Sequence, residues 1–199
     1  GYNTDMPGLY RAMCEDGVRV KGEKVLILGA GGVARAVAMM LLDHGAKEAV
    51  ILNRTVEKAQ DVADEVNRLN GKNRKFARAL PIDAYDTLPE GERYLAIQAT
   101  SVGMYPNCDA AVIEDPAFYQ KVHTGYDLIF NPPKTRFMQL VEEQGGKACN
   151  GAKMLLYQGI IAFELWTGCK VEQWLADKVY ERMQEAKKTE DGKKNEAQT

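Results

Sequence analysis

Residues 24–38 read KVLILGAGGVARAVA, and this stretch decides the fold. Four apolar residues, Val25 to Leu28, lead directly into a glycine-rich turn, and a helical pattern begins immediately after it. A strand, a glycine turn and a helix in this order form the context that a dinucleotide-binding fingerprint requires. The segment therefore predicts a dinucleotide-binding βα unit, and the alternative is a turn with a purely structural role.

Each residue type in the turn has a physical task. Gly29 permits the tight turn, Gly31 lets the backbone approach a pyrophosphate, and Ala34 is small enough for close packing of the helix on the strand. The first amides of the helix face the negative charge, which the helix dipole also favours. The other predicted cofactor contacts of this turn are Ala30, Gly32 and Val33.

The composition is that of an ordinary soluble globular protein and excludes several classes. The 199 residues carry a net charge of −2, so there is no basic excess to neutralise the phosphates of a nucleic acid. No apolar run is long enough to span a membrane, and no signal peptide is recognisable. Four dispersed cysteines without metal-ligand spacing predict free thiols, no metal site and a cytoplasmic location.

Strand and helix patterns alternate along most of the chain. The predicted strands cover residues 25–28, 49–52, 75–80, 94–97, 126–130 and 147–150. The predicted helices cover residues 33–44, 57–70 and 135–144, and two more follow at 154–167 and 171–187. This alternation predicts an α/β fold: a Rossmann-like, doubly wound parallel sheet of about six strands in the order 3-2-1-4-5-6, with C-terminal helices.

The end of the second predicted strand indicates which dinucleotide binds. Asn53, Arg54 and Thr55 stand where NAD-specific domains carry an acidic residue for the ribose 2′-hydroxyl. A guanidinium there accommodates a 2′-phosphate instead, and Lys58 lies one helical turn beyond. These residues predict NADP as the cofactor. Two structural alternatives stay open, namely a solvated basic edge at Arg54 and Lys58 and a helix cap at Thr55.

Six short motifs follow one another along the chain. They are Gly-x-Asn-Thr-Asp-x-x-Gly at 1–8, Gly-Ala-Gly-Gly followed by Arg-Ala at 29–36, Asn-Arg-Thr-x-x-Lys-Ala at 53–59, Ala-Thr-Ser-x-Gly-Met at 99–104, Asn-Pro-x-x-Thr at 131–135 and Gly-x-x-Met-Leu-x-x-Gln at 151–158. In this order they resemble the shikimate dehydrogenase family. The resemblance covers about residues 1–175 and is far more specific than a single glycine fingerprint.

The resemblance implies an activity and a set of roles. The activity is reversible reduction of 3-dehydroshikimate to shikimate with NADPH. Asp5 would hydrogen-bond a substrate hydroxyl and pair with a catalytic lysine, Gln158 would bind substrate hydroxyls, and Tyr126 would line the pocket near the nicotinamide. The nicotinamide half of the cofactor would be bordered by Ala99, Thr100, Ser101, Val102, Met104 and Gly151.

Each of these residues also has a structural interpretation. Asp5 can cap a helix, Gln158 can be a hydrogen-bonded core amide, and Tyr126 can pack within a strand. Thr100 and Ser101 can satisfy the backbone of their own loop.

The chain departs from the family in what precedes its first motif. The complete enzymes have a substrate domain there that supplies the catalytic lysine, and this sequence begins at Gly1. We therefore expect residues 1–20 to form a junction turn and helix, 21–152 the dinucleotide-binding domain, 153–188 helices that pack toward the missing substrate domain, and 189–199 a disordered tail. We expect such a chain to bind the cofactor with little or no turnover. A smaller departure is Gln98, where the family more often has Asn.

Three other interpretations stay open at this stage. The chain could belong to a quinate/shikimate dehydrogenase that uses NAD, or it could be a non-catalytic dinucleotide-binding module. The apolar helix faces around residues 154–180 could also form a homo-oligomer interface.

Overall fold

The computed structural model describes residues 1–71 and 75–196, and its centre is one six-stranded parallel sheet. The strand order is β3-β2-β1-β4-β5-β6, which confirms the predicted doubly wound arrangement. The strands are β1 (Lys24–Leu28), β2 (Glu48–Asn53), β3 (Ala77–Pro81), β4 (Tyr94–Gln98), β5 (Val122–Asp127) and β6 (Lys147–Cys149). The helices are α1 (Asp5–Glu15), α2 (Gly32–Asp43), α3 (Val56–Asn70), α4 (Pro116–Gln120), α5 (Arg136–Glu143), α6 (Ala152–Thr167) and α7 (Gln173–Glu196).

The central strands are apolar because helices cover both faces of the sheet. Val25 and Ile27 of β1 point into a core shared with α1, α2, α3 and α6, while Leu26 and Leu28 point into a second core on the other face with α4 and α5. Leu28 ends its strand in register with Leu52 of β2 and Gln98 of β4. The carboxyl ends of these three strands therefore meet at one edge, where open α/β sheets bind their ligands.

Two helices that begin at this edge have no side-chain cap. Gly31 stands at the N-cap of α2 and has no side chain that could cap it, and Thr55 at the N-cap of α3 makes no side-chain bond to the first amides of its helix. In contrast, Asp115 caps α4 and Thr135 caps α5 through side-chain oxygens. The first amides of α2 and α3 are thus left without a side-chain acceptor.

The fifth strand lies earlier in the chain than the sequence pattern predicted. The structure places β5 at Val122–Asp127, whereas residues 126–130 were expected, because His123, Thr124 and Gly125 mask its strand character. The chain leaves the sheet after Asp127, whose carboxylate accepts the amide of Ile129. The short helix α4 and a 3₁₀ turn at Ala84–Thr87 were not predicted.

The two ends of the chain also differ from expectation. Thr4, not Asp5, is the N-cap residue of α1, since the Asn3 side chain accepts the amide of Asp5 at 2.8 Å. At the other end, α7 continues through Glu196, where a disordered tail was expected from residue 189. Its lysine, glutamate and glutamine residues are good helix formers. Residues 197–199 of that predicted tail lie outside the described residues.

Within the described ranges, every helix is too short or too polar to cross a membrane.

Candidate dinucleotide-binding site

The glycine turn joins β1 to α2 at the carboxyl edge of the sheet, as the fingerprint predicted. Gly29 has φ +108°, and its amide donates to the Leu52 carbonyl at 2.8 Å, which extends the sheet by one hydrogen bond. A Cβ at Gly29 would lie 2.7 Å from the Thr100 methyl group. Glycine is therefore required here by the backbone conformation and by the close approach of the loop that follows β4.

The next two glycines border open space at the protein surface. Gly31 and Gly32 are exposed, and a Cβ at either position would meet nothing within 4 Å. Val33 beside them is also exposed, whereas Ala34 is fully buried against the sheet, the packing role predicted for it. An open surface above uncapped helix amides matches the requirements of a pyrophosphate.

A group of basic and polar side chains follows the adjacent strand β2. Arg54 and Lys58 are exposed, and neither makes an ion pair with any residue that the structure describes. The Asn53 side chain donates to the Thr55 carbonyl at 2.8 Å and shapes this short connection. Thr55 occupies the N-cap position of α3, as the structural alternative predicted, but its side chain makes no capping hydrogen bond. Two unpaired cations next to an uncapped helix favour a phosphate ligand.

The loop after β4, residues 99–104, lies beside the glycine turn at the carboxyl edge of the sheet, and the surface between the two is called the cleft below. The Ala99 amide donates to the Leu28 carbonyl at 2.9 Å, which places this loop directly beside the glycine turn. Ala99, Thr100 and Val102 are half-buried, while Ser101 and Met104 are exposed. Exposed atoms of this loop lie next to the predicted pyrophosphate position and can contact the nicotinamide half of an extended dinucleotide.

Gly151 is buried behind the cleft rather than exposed in it. Its amide donates to the Ile129 carbonyl at 3.0 Å, and a Cβ there would lie 2.2 Å from the Leu128 carbonyl oxygen. Gly151 therefore permits α6 to begin against the chain that leaves β5.

Asp5 and Gln158 are brought to the same region by two helices in close contact. A Cβ at Gly8 of α1 would lie 2.9 Å from the backbone nitrogen of Gln158, so only glycine permits this close approach of α1 and α6. Asp5 lies one helical turn before Gly8 and is exposed, and its carboxylate has no partner among the residues that the structure describes. Gln158 is half-buried. Asp5 is thus free to bind a ligand or a cation.

The structure does not place Tyr126 with the other predicted substrate residues. Its side chain is fully buried, and its hydroxyl donates to Asp16 at 3.2 Å, at the far end of α1 from Asp5. Asp16 also pairs with Lys153 of α6 at 2.7 Å. Burial and the neighbouring Asp16 carboxylate raise the pKa of Tyr126. The residue joins α1, β5 and α6, and the predicted role in a substrate pocket is not supported.

Sequence reasoning missed a cavity beside the glycine turn. The cavity of about 580 Å³ lies between α1 and α2, with Met6, Tyr10 and Met39 among its lining residues and Gly32 at its edge. Arg35 of α2 also lines it and pairs with Glu65 of α3. Because these residues come from three separate helices, no local pattern could have predicted the cavity.

The strand order, the glycine turn and the uncapped first turn of α2 define a Rossmann-type dinucleotide-binding domain. The chain matches the family models "Shikimate / quinate 5-dehydrogenase" over residues 12–86 and "Shikimate 5'-dehydrogenase C-terminal domain" over residues 151–183. The chain belongs to the shikimate dehydrogenase family.

Individual relatives agree with this assignment. A protein of Carboxydothermus hydrogenoformans named shikimate dehydrogenase (NADP(+)) is 39% identical over 168 residues, which are 84% of this chain and 58% of the relative. Among solved structures, a chorismate mutase/shikimate 5-dehydrogenase fusion protein from Clostridium acetobutylicum superposes with a TM-score of 0.81 at 29% identity, covering 94% of this chain and 63% of that one.

A second solved structure is shikimate 5-dehydrogenase from Thermus thermophilus, described as a complex with NADP(H) and shikimate. Its TM-score is 0.73 at 31% identity, with 92% of this chain and 63% of that one covered. The chain thus spans somewhat less than two thirds of the length of the proteins that it matches.

Proposed function

We propose that this chain is the NADP-binding part of a shikimate dehydrogenase. The observation that carries the proposal is the pairing of uncapped α2 amides above Gly31 and Gly32 with the unpaired Arg54 and Lys58 at the end of the adjacent strand. A pyrophosphate fits the first group, and the 2′-phosphate of NADP fits the second. The Thermus thermophilus relative is described with the same cofactor, which supports this choice.

When bound, NADPH supplies the hydride that reduces the ketone of 3-dehydroshikimate to the hydroxyl of shikimate. The loop Ala99–Met104 orients the nicotinamide half from beside the glycine turn. Asp5 and Gln158 bind the hydroxyl groups of the substrate from α1 and α6. Carbonyl reduction also needs a proton donor at the ketone oxygen. The resemblance assigns the lysine of that step to the substrate domain, so the 199 residues alone bind the cofactor without appreciable turnover.

The helices α6 and α7 provide a surface for that substrate domain. Leu155, Phe163, Leu175 and Val179 border an apolar groove of about 430 Å³, and each has at least 40% of its surface exposed. Water-exposed apolar surface of this kind typically belongs to an interface. In the absence of the substrate domain, the same groove would let two copies of the chain associate.

A cellular location belongs to the same proposal. We also propose a reducing compartment, the cytoplasm, as its location, and the free cysteines support this proposal. An NAD-dependent quinate/shikimate dehydrogenase is the nearest alternative function, and a cofactor-binding module without catalysis is the next.

Calorimetric titration of the chain with NADP and with NAD tests the proposal. We expect NADP to bind at least about tenfold more tightly, a difference of about 1.4 kcal/mol. A preference for NAD would favour the quinate/shikimate alternative. Failure of both dinucleotides to bind would refute a cofactor-binding role.

A further inference from the structure

The buried polar side chains of the described residues are concentrated at one place. Gln98, Asp127 and Thr135 are each at most 1% exposed, and they lie at the ends of β4 and β5 and before the start of α5. None of them reaches the solvent, so none can touch a bound ligand. Buried polar groups require a structural or functional reason because their desolvation is costly.

Gln98 organises the loop after β4 through one amide group. Its carbonyl oxygen accepts the Thr100 amide and the Thr100 hydroxyl, both at 2.7 Å, and its nitrogen donates to the Val102 carbonyl at 3.0 Å. The Thr100 hydroxyl in turn accepts the Val102 amide at 3.1 Å. The conformation of residues 99–102 is thereby fixed from inside the protein.

Asp127 organises the segment after β5 in the same way. One carboxylate oxygen accepts the Ile129 amide at 2.9 Å, and the other accepts the Thr135 hydroxyl at 2.6 Å. The Thr135 oxygen also accepts the Met138 amide and so caps α5. The carboxylate therefore connects the end of β5 to the start of the following helix.

The hydrogen bonds around Gln98 and those around Asp127 belong to one connected region. Gln98 and Asp127 are paired in the register of β4 and β5, and the Leu128 amide donates to the Gln98 carbonyl at 3.1 Å. A Cβ at Gly103 would lie 3.8 Å from the Thr135 Cβ, and the Tyr105 amide donates to the Asn131 carbonyl. The loop after β4, the segment after β5 and the start of α5 are thus held together.

We propose that Gln98 and Asp127 are positioning residues for the nicotinamide half of the cofactor, an inference that rests on the proposed function. With the 2′-phosphate at β2 and the pyrophosphate at β1, an extended dinucleotide continues toward β4 and β5, because these strands lie on the other side of β1. The loop that Gln98 holds is the first surface that it meets there. The Thr100 methyl group also lies close to Gly29, so the loop begins directly beside the glycine turn.

The test compares two ligands that differ only in the nicotinamide, namely NADP and 2′-phospho-ADP-ribose. Gln98→Leu keeps the approximate size of the side chain but leaves the buried partners in the loop unsatisfied. We expect it to weaken NADP about tenfold and to change the affinity for 2′-phospho-ADP-ribose less than about twofold, measured by calorimetry. A merely structural role would affect both ligands equally or neither.

Asn67→Leu is the matched control. The Asn67 side chain of α3 also makes three hydrogen bonds to backbone atoms of Phe76 and Ala77, but these lie at the start of β3, away from the proposed nicotinamide side. This variant should leave the ratio of the two affinities unchanged. Thr135→Val removes the hydroxyl that Asp127 holds and should change the ratio in the same direction as Gln98→Leu, so it decides the question if Gln98→Leu does not fold.

The outcomes separate the inference from the proposed function. An unchanged affinity ratio in both Gln98→Leu and Thr135→Val, with wild-type binding intact, overturns the positioning role alone. An equal weakening of both ligands does the same. Wild-type protein that binds neither ligand overturns the proposed function and the inference with it.

Discussion

Gly29 and Gly31 are two residues apart in one turn, yet different physical demands act on them. Gly29 has a positive φ and almost no space for a Cβ, whereas Gly31 has φ −81° and open space around it. The backbone conformation and surroundings of Gly31 therefore do not require glycine, and we propose that glycine here lets a ligand approach the backbone closely.

Alanine substitutions separate these two roles. Gly31→Ala should leave the free energy of unfolding within about 0.5 kcal/mol of wild type while lowering NADP affinity about tenfold or more. Gly29→Ala should instead cost about 2 kcal/mol or more of stability, because it adds backbone strain and a steric clash. Urea unfolding and calorimetry measure both effects. If Gly31→Ala binds NADP normally, the pyrophosphate does not lie at this turn.

The raised pKa of Asp127 leads to a second prediction at the scale of a residue. Burial raises the pKa of Asp127 to about 6, and the hydrogen bonds from Thr135 and Ile129 offset only part of this effect. A carboxyl group with a raised pKa in the folded state favours folding most at low pH. Its contribution is lost as the pH rises through about 6, because the unfolded chain releases the proton more readily.

Asp127→Asn removes this titration and retains the shape of the side chain. Relative to the variant, wild type should lose up to about 3 kcal/mol of unfolding free energy between about pH 4 and pH 7. Chemical denaturation of both proteins across this range measures the difference. A constant difference would mean that Asp127 titrates normally and is not desolvated in the folded protein.

At the scale of elements, the sequence predicted best those features that a short run of neighbouring residues encodes. The order of strands and helices, the glycine turn and the packing of Ala34 were confirmed because strand periodicity and the fingerprint are written in adjacent residues. The predicted position of β5 was wrong because His123, Thr124 and Gly125 form a continuous run without strand character between Val122 and Tyr126. Pairing within the sheet prevails over that composition.

The sequence left two interpretations of Tyr126 open, a place in the substrate pocket and packing within a strand, and the structure places its side chain in the core. A tyrosine near the end of a strand can face the cleft or the core, and only the positions of Asp16 and Lys153 decide between these orientations. The same applies to Gln98 and Asp127, whose partners are revealed by the loop geometry rather than by a motif.

Tyr126→Phe tests the corrected role at the junction of α1, β5 and α6. Loss of the hydroxyl should cost about 1 kcal/mol of stability, since Asp16 keeps its ion pair with Lys153. Cofactor affinity should not change. Reduced NADP binding together with unaltered stability would instead support a role of Tyr126 in the binding site.

At the scale of the whole molecule, the polar cleft and the apolar groove lie on different parts of the chain. The cleft holds the proposed cofactor contacts, and the groove between α6 and α7 remains exposed to water. The proposed cofactor contacts and the surface that another domain is proposed to cover are therefore separate.

Light scattering over a range of concentrations tests this division. We expect the chain to associate as its concentration rises, because the groove can bury itself against a second copy. Leu175→Glu, which places a charge in the groove, should reduce the association. Leu69→Glu introduces the same charge on α3, outside the groove, and should have no effect. Equal behaviour of the two variants would contradict an interface at α6 and α7.

The most direct measurement is a calorimetric cycle that combines two changes, Arg54→Asp in the protein and loss of the 2′-phosphate in the ligand. Wild-type chain should prefer NADP over NAD about tenfold or more, and Arg54→Asp should abolish or reverse that preference. Arg182→Asp, an identical charge change on α7, should preserve it. An NADP preference that survives Arg54→Asp, or wild-type protein that binds neither dinucleotide, would contradict the assignment of the phosphate sites.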